Sequence, residues 1–255
     1  MTTGRMNQPR LIPSLKDVEK VINVIKADLE SEDYPVLAKA TLAVITVFNR
    51  KRGGELQRMK LTDFHVHQKT NSAEKEVLAG LTTTEQRLVH ILSRMEIRGK
   101  MNRSVPILLT PGIVCSVEQL IQLRKAKSIK SSYLFATPNG QRPYRGHDVL
   151  KYYAGVAGVE STLFTATNLR KQLATLSQAM EISKMDQDQL TTFLGHDIHI
   201  HRNVYRRPIE VIQKAKVASI LFKINRGFEV SDDISEECLA VEDLVMDQVP
   251  DDQEE

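Results

Sequence analysis

Cysteine is nearly absent from this chain: Cys115 and Cys238 are its only two, far apart and without metal-ligand spacing. A disulfide framework is excluded, and both read as reduced thiols in an intracellular compartment. No apolar run approaches the ~18–20 residues needed to cross a bilayer, so no membrane partner is expected. The opening MTTGRMNQPR lacks the apolar segment of a secretory signal, which argues against export. Basic residues are missing from Glu229 to Glu255, a stretch that holds 12 acidic ones. Removing those from the chain's 32 acidic residues leaves 20 against 35 Lys and Arg, a formal +15 on residues 1–228. A body so charged favours polyanions, because each neutralised phosphate releases condensed counterions. The acidic tail reads as disordered, with too little apolar surface to repay ordering.

The 255 residues are 41% hydrophobic, enough for one substantial core. Residues 1–13 form a loose leader. Ser14 is placed to cap a helix reaching about Glu30, with Val18, Val21, Ile22 and Ile25 as its apolar stripe. From Tyr34 to Phe48 the chain is apolar on nearly every helical face, which predicts a helix in the middle of the core. It ends at the basic turn Asn49-Arg50-Lys51-Arg52-Gly53-Gly54, and Glu55 opens another short helix. Residues 65–83 read as a surface excursion, followed by a helix from Thr84 to about Arg94.

The stretch 96–109 predicts a hairpin that turns between Gly99 and Asn102. Helices are expected at about 116–127, 145–157, 166–181 and 185–194, with Tyr133–Phe135 extended between the first two. A last helix follows Pro208, a favoured first-turn residue. The expected fold class is mainly α with a small antiparallel β hairpin or sheet. It makes one domain over 14–228, with the acidic tail at 229–255.

Chemistry concentrates in FLGHDIHIHRNVYRRP, where Leu194-Gly195-His196 is followed nine residues after the histidine by Tyr205. Upstream lie Thr167-Asn168-Leu169-Arg170 on a helix face, and Arg52 three residues before Glu55, with Asp63 beyond. His196, His199 and His201 lack a cysteine or fourth ligand nearby, so no metal and no cofactor is expected. The runs Arg124-Lys125-Ala126-Lys127 and Lys214-Ala215-Lys216 are candidate phosphate contacts, or else ordinary solvated faces.

These blocks, in this order, resemble the tyrosine recombinase (phage-type integrase) family over roughly residues 36–225. Arg52, Glu55 and Asp63 match its first arginine block, with Arg50 where a leading glycine is usual. Gly99-Lys100-Met101-Asn102-Arg103-Ser104-Val105-Pro106 resembles the hairpin that carries the family lysine, which makes Lys100 its counterpart. The family's His-x-x-Arg reads here as Thr167 to Arg170, so threonine replaces histidine. The wording is most similar to eukaryotic, mobile-element-derived (Crypton-like) members.

The resemblance implies a tyrosine recombinase catalytic-domain fold and a DNA strand transferase with one catalytic position altered. Tyr205 would attack phosphorus and conserve the bond as a covalent 3′-phosphotyrosyl ester. Arg52 and Arg170 would hold the non-bridging oxygens as charge develops. Lys100 would protonate the leaving 5′ oxygen, and His196 would donate a hydrogen bond to the phosphate. Thr167 can hydrogen-bond a phosphate but cannot serve as a base at neutral pH. Arg50, Lys51, Arg103, Lys171, His199, His201, Arg202 and Arg206 are the expected DNA contacts.

The implied partners are double-stranded DNA and further copies of the chain, exchanged through the helix after Pro208. The implied location is nuclear. Before its core the chain has room for only one or two helices where the family places a DNA-clamping domain, so weak binding by the chain alone is expected. Two alternatives stay open: a domesticated DNA-binding protein that kept the fold and lost the reaction, and a type IB topoisomerase.

Overall fold

A computed structural model describes residues 12–65, 68–69, 82–99, 103–140, 142–179 and 184–194. Nine helices and three strands run in the order α1 (Leu15–Asp28), α2 (Tyr34–Asn49), α3 (Gly53–Leu56), α4 (Leu61–His65), β1 (Gln68–Lys69), α5 (Thr83–Ile91), β2 (Ser93–Arg98), β3 (Ser104–Leu109), α6 (Pro111–Ala126), α7 (Gly146–Val156), α8 (Ala166–Ala179) and α9 (Lys184–Leu194) among the described residues. None of these helices is long and apolar enough to cross a membrane. The architecture is mainly helical with one small antiparallel sheet, as the sequence predicts.

Helix α2 is the hub. Leu37, Ala40, Leu42, Ala43 and Ile45 are wholly buried, which is what an all-round apolar helix requires. Helices α1, α6, α7 and α8 and strand β3 all pack on it. Its two core threonines cost little, because the Thr41 and Thr46 hydroxyls each donate to the carbonyl four residues back, Leu37 and Leu42, at 2.7 Å. Helix α1 starts as predicted: Ser14 and Asp17 form a reciprocal capping box, and Val18, Val21 and Ile25 face α2.

The sheet has the order β1-β2-β3, all antiparallel. Along β2 burial alternates, so Met95 and Ile97 face inward and lie opposite Ile107 and Val105 of β3. The outer face is polar: Glu96 accepts from Arg94 at 2.6 Å and from the Ser104 hydroxyl at 2.5 Å. The predicted hairpin is present, but β2 begins at Ser93, inside the stretch read as the end of a helix. The alternating burial from Ser93 onward wins over the helical pattern, and α5 stops at Ile91. Strand β1 falls where only a surface excursion was expected. Helix α6 starts five residues before the predicted 116, with Pro111 in its first turn and the Thr110 hydroxyl accepting from the Ile113 N–H. Tyr133 makes an isolated bridge to Lys60, whereas Leu134 and Phe135 form a buried turn and not an extended run.

Arg124 corrects a sequence expectation. It is 2% exposed and is not a phosphate contact. Its guanidinium donates to the Tyr34 hydroxyl and to the carbonyls of Leu134 and Ser131, tying α6 to α2 and to the loop after α6.

Asn49 joins α2 to the sheet. Its side-chain NH₂ donates to the Ile45 and Leu108 carbonyls at 3.2 and 2.9 Å, while its Oδ1 accepts the Leu108 N–H at 2.8 Å. This clamp fixes where the chain leaves α2 for the basic turn. Asn49→Ala leaves the Leu108 groups without it and is expected to cost about 2 kcal/mol of unfolding free energy, read from urea denaturation. A loss below a few tenths would dismiss the clamp.

Candidate functional site

The chain leaves α2 through Arg50, whose φ of 53° is left-handed. That conformation favours glycine, so an arginine there holds a backbone geometry that side chains rarely adopt. Arg50 is half-buried, and burial brings its guanidinium down to about 10. Lys51 turns inward: at 1% exposure it donates to the Phe193 carbonyl, and its Nζ lies 3.5 Å from the Phe193 ring centroid. Its assignment as a DNA contact is therefore corrected. Lys51 is an internal brace between the α2–α3 turn and the end of α9.

Arg52 turns outward again. Its side chain is about half exposed, and its Nη1 donates to Glu55 Oε1 at 3.2 Å. Glu55 is buried, so the three-residue spacing sets a fixed carboxylate beneath the guanidinium. Gly99, at the end of β2, packs beside this pair. A Cβ there would come within 3.3 Å of Glu55 Oε1 and 2.5 Å of a Val105 methyl. The hairpin base is thereby set against the Arg52–Glu55 pair.

Two further glycines bring α7 to the same place. A Cβ on Gly146 would stand 2.9 Å from the Gly53 carbonyl oxygen and 3.0 Å from the Gly53 Cα. Only bare backbone fits, so the starts of α3 and α7 touch. The Gly146 N–H donates to Gln57 Oε1 at 3.0 Å, which fixes the contact. Helix α8 supplies the third wall. Thr165 caps it, its hydroxyl accepting from the Asn168 N–H at 3.2 Å. Thr167 and Arg170, three residues apart, share one face.

The result is an open cleft of about 480 Å³ at the meeting of α3, α7 and α8. Of the predicted site residues, Arg52, Thr167 and Arg170 line it together. Arg170 is 3% exposed, and its Nη2 donates to the Leu194 carbonyl at 3.4 Å. Lys51 and Arg170 thus hold the last two carbonyls of α9, where the helix dipole favours cations, two residues before His196.

Arg145 and His147 also line the cleft, and sequence reasoning missed both. Each stands singly at a helix start with no periodic signal, and only the Gly53–Gly146 contact brings them in. Three guanidinium groups and the first turns of α7 and α8 face one space, an arrangement suited to an oxyanion such as phosphate. No cluster of three metal-ligating side chains occurs among the described residues. Arg103 is exposed at the entrance to β3, and Lys171 is half-exposed on α8. Lys100, His196, His199, His201, Arg202, Tyr205 and Arg206, the helix after Pro208 and the acidic tail lie outside the described residues.

No protein-family profile and no curated protein matches this sequence. Solved structures do. The XerH site-specific recombinase bound to palindromic difH substrate, in a post-cleavage complex, superposes with a TM-score of 0.61 at 19% identity, over 85% of this chain and 54% of that one. The pre-cleavage XerH complex with difH gives 0.57 at 18% identity, over 85% and 55%. The XerA recombinase gives 0.55 at 14% identity, over 86% and 66%. At these identities the likeness establishes the fold, that of tyrosine recombinase catalytic domains. The chain spans about half the length of the XerH chains it matches.

Lys51 makes the brace on α9 sensitive to pH. Burial lowers it to about 7, Glu55 opposing while Arg170 and Arg94 push the same way. A folded value below the ordinary 10.5 means that the folded chain sheds this proton first, so stability rises as pH climbs from about 7 toward 10.5. In urea denaturation across that window, the wild type is expected to gain steadily on Lys51→Met. Parallel curves would rule the buried lysine out as the cause.

Proposed function

We propose that this chain is the cleaving and rejoining portion of a DNA strand-transfer protein of the tyrosine recombinase type. One observation carries the reading: Arg52 and the Thr167–Arg170 pair, remote in sequence, converge on one open, cationic cleft. In the reaction, the Tyr205 hydroxyl attacks phosphorus to give a 3′-phosphotyrosyl link and a free 5′ hydroxyl, and reversal rejoins the strand without ATP. Arg52 and Arg170 neutralise the non-bridging oxygens as charge builds. Lys100 protonates the departing 5′ oxygen, and His196 hydrogen-bonds the phosphate. Lys51 and Arg170 brace the end of α9, two residues before His196 in the sequence.

Double-stranded DNA is the partner on this reading, in keeping with the basic body and with recombinase neighbours solved bound to difH substrate. Arg50, Arg103, Lys171, His199, His201, Arg202 and Arg206 serve as its contacts. The motif wording favours a mobile-element-derived, Crypton-like protein acting in recombination or integration in the nucleus, with copies associating through the helix after Pro208. A second reading has one observation in its favour. Thr167 lines the cleft where the family places histidine, which fits a domesticated protein that binds DNA and no longer cleaves it.

A nicked suicide duplex separates the two readings. The wild type is expected to form a covalent adduct on denaturing gels, which Tyr205→Phe abolishes while duplex binding persists. Arg52→Ala is expected to slow adduct formation by about 100-fold. An adduct that survives Tyr205→Phe would remove the nucleophile assignment. Salt-sensitive binding with no adduct on any substrate would favour the second reading.

A further inference from the structure

Phosphoryl transfer from a hydroxyl must dispose of that hydroxyl's proton, and most of the cleft cannot take it. Guanidinium groups stay protonated, so Arg52, Arg145 and Arg170 stabilise charge but do not accept protons. Gln57 is spent on the Gly146 N–H. Thr165 and Thr167 carry hydroxyls that ionise far above neutral pH. His147 is the one described side chain lining the cleft whose type exchanges a proton between about pH 5 and 8.

Its position is fixed from behind and open in front. The Gly53–Gly146 contact sets the start of α7 against α3, within one residue of Arg52 on one side and of His147 on the other. Val149, Leu150, Tyr153 and Ala154 bury the far face of α7 in the core, and the Tyr153 hydroxyl donates to Asp28 at 2.8 Å. His147 itself is exposed. The charged groups around it are Arg145 and Asp148 on α7, Arg52 with its Glu55 partner on α3, and Arg170 on α8.

We infer that His147 is a catalytic residue, supplying from α7 the imidazole that α8 lacks at Thr167. This rests on the strand-transfer reading. As the Tyr205 oxygen bonds to phosphorus, its proton passes to the His147 imidazole. The bond from phosphorus to the 5′ oxygen breaks, its electron pair stays on that oxygen, and Lys100 gives the proton that makes the 5′ hydroxyl. Rejoining runs the same transfers backward, with His147 returning the proton to tyrosine.

The test is the rate of adduct formation on a nicked suicide duplex as a function of pH, using the full chain. The wild-type rate is expected to fall toward acid pH, as general-base catalysis requires. His147→Gln, at an exposed position, is expected to be about 100-fold slower and to lose that acid limb. Adding Thr167→His to His147→Gln is expected to restore the limb and much of the rate, a rescue that a merely structural histidine would not allow. If the wild type forms adduct and His147→Gln matches its rate and profile throughout, the role of His147 falls and the strand-transfer reading stands. If wild type and variants all bind duplex DNA yet none forms adduct, the strand-transfer reading falls and takes the proton role with it.

Discussion

The cleft depends on a contact between two pieces of bare backbone. Gly53 and Gly146 approach so closely that a Cβ on Gly146 would stand 2.9 Å from the Gly53 carbonyl oxygen. Each glycine borders residues that line the same cleft: Arg52 precedes Gly53, and Arg145 and His147 flank Gly146. A side chain between them would part the two helix starts and open the cleft on one side. The contact is also what lets four-residue α3, too short to be stable alone, hold a defined orientation.

Behind this contact the cations divide by task. Lys51, Arg124 and most of Arg170 are buried, and each donates to backbone carbonyls. Arg52 and Arg145 stay exposed at the rim. Buried cations are costly unless satisfied, so Lys51 and Arg124 hold loop and helix ends together, Arg170 braces α9 while still lining the cleft, and Arg52 and Arg145 remain available to an anion. Glu55 belongs with the first set although it serves the second: buried beneath Arg52, it aims a guanidinium that would otherwise sample many rotamers.

Much of this was legible in the sequence, for identifiable reasons. A surface from Val36 to Val47 that is apolar on nearly every face leaves a helix nowhere to go but the core, and the Ser14 cap and the 96–109 alternation have local causes. The convergence of Arg52, Thr167 and Arg170 followed from motif order. What was not legible depends on contacts between distant segments. Nothing near Lys51 announces that the Phe193 carbonyl will accept its hydrogen bond, and Arg124 sits in a basic run that looks solvated. His147 is a lone histidine at a helix start, and two glycines more than 90 residues apart decide its relevance. The two-residue strand β1 has too few residues to carry a pattern, and its partner β2 determines it.

The Asn49 amide has a consequence for assembly. It offers Leu108 the same donor and acceptor that a neighbouring strand would offer, on the side of β3 away from β2. An open strand edge is a template for pairing with another chain, and here a side chain from the core helix already occupies it near its end. A second strand cannot extend the sheet through Leu108 without evicting that amide. Growth by strand addition is blocked there at the cost of one asparagine.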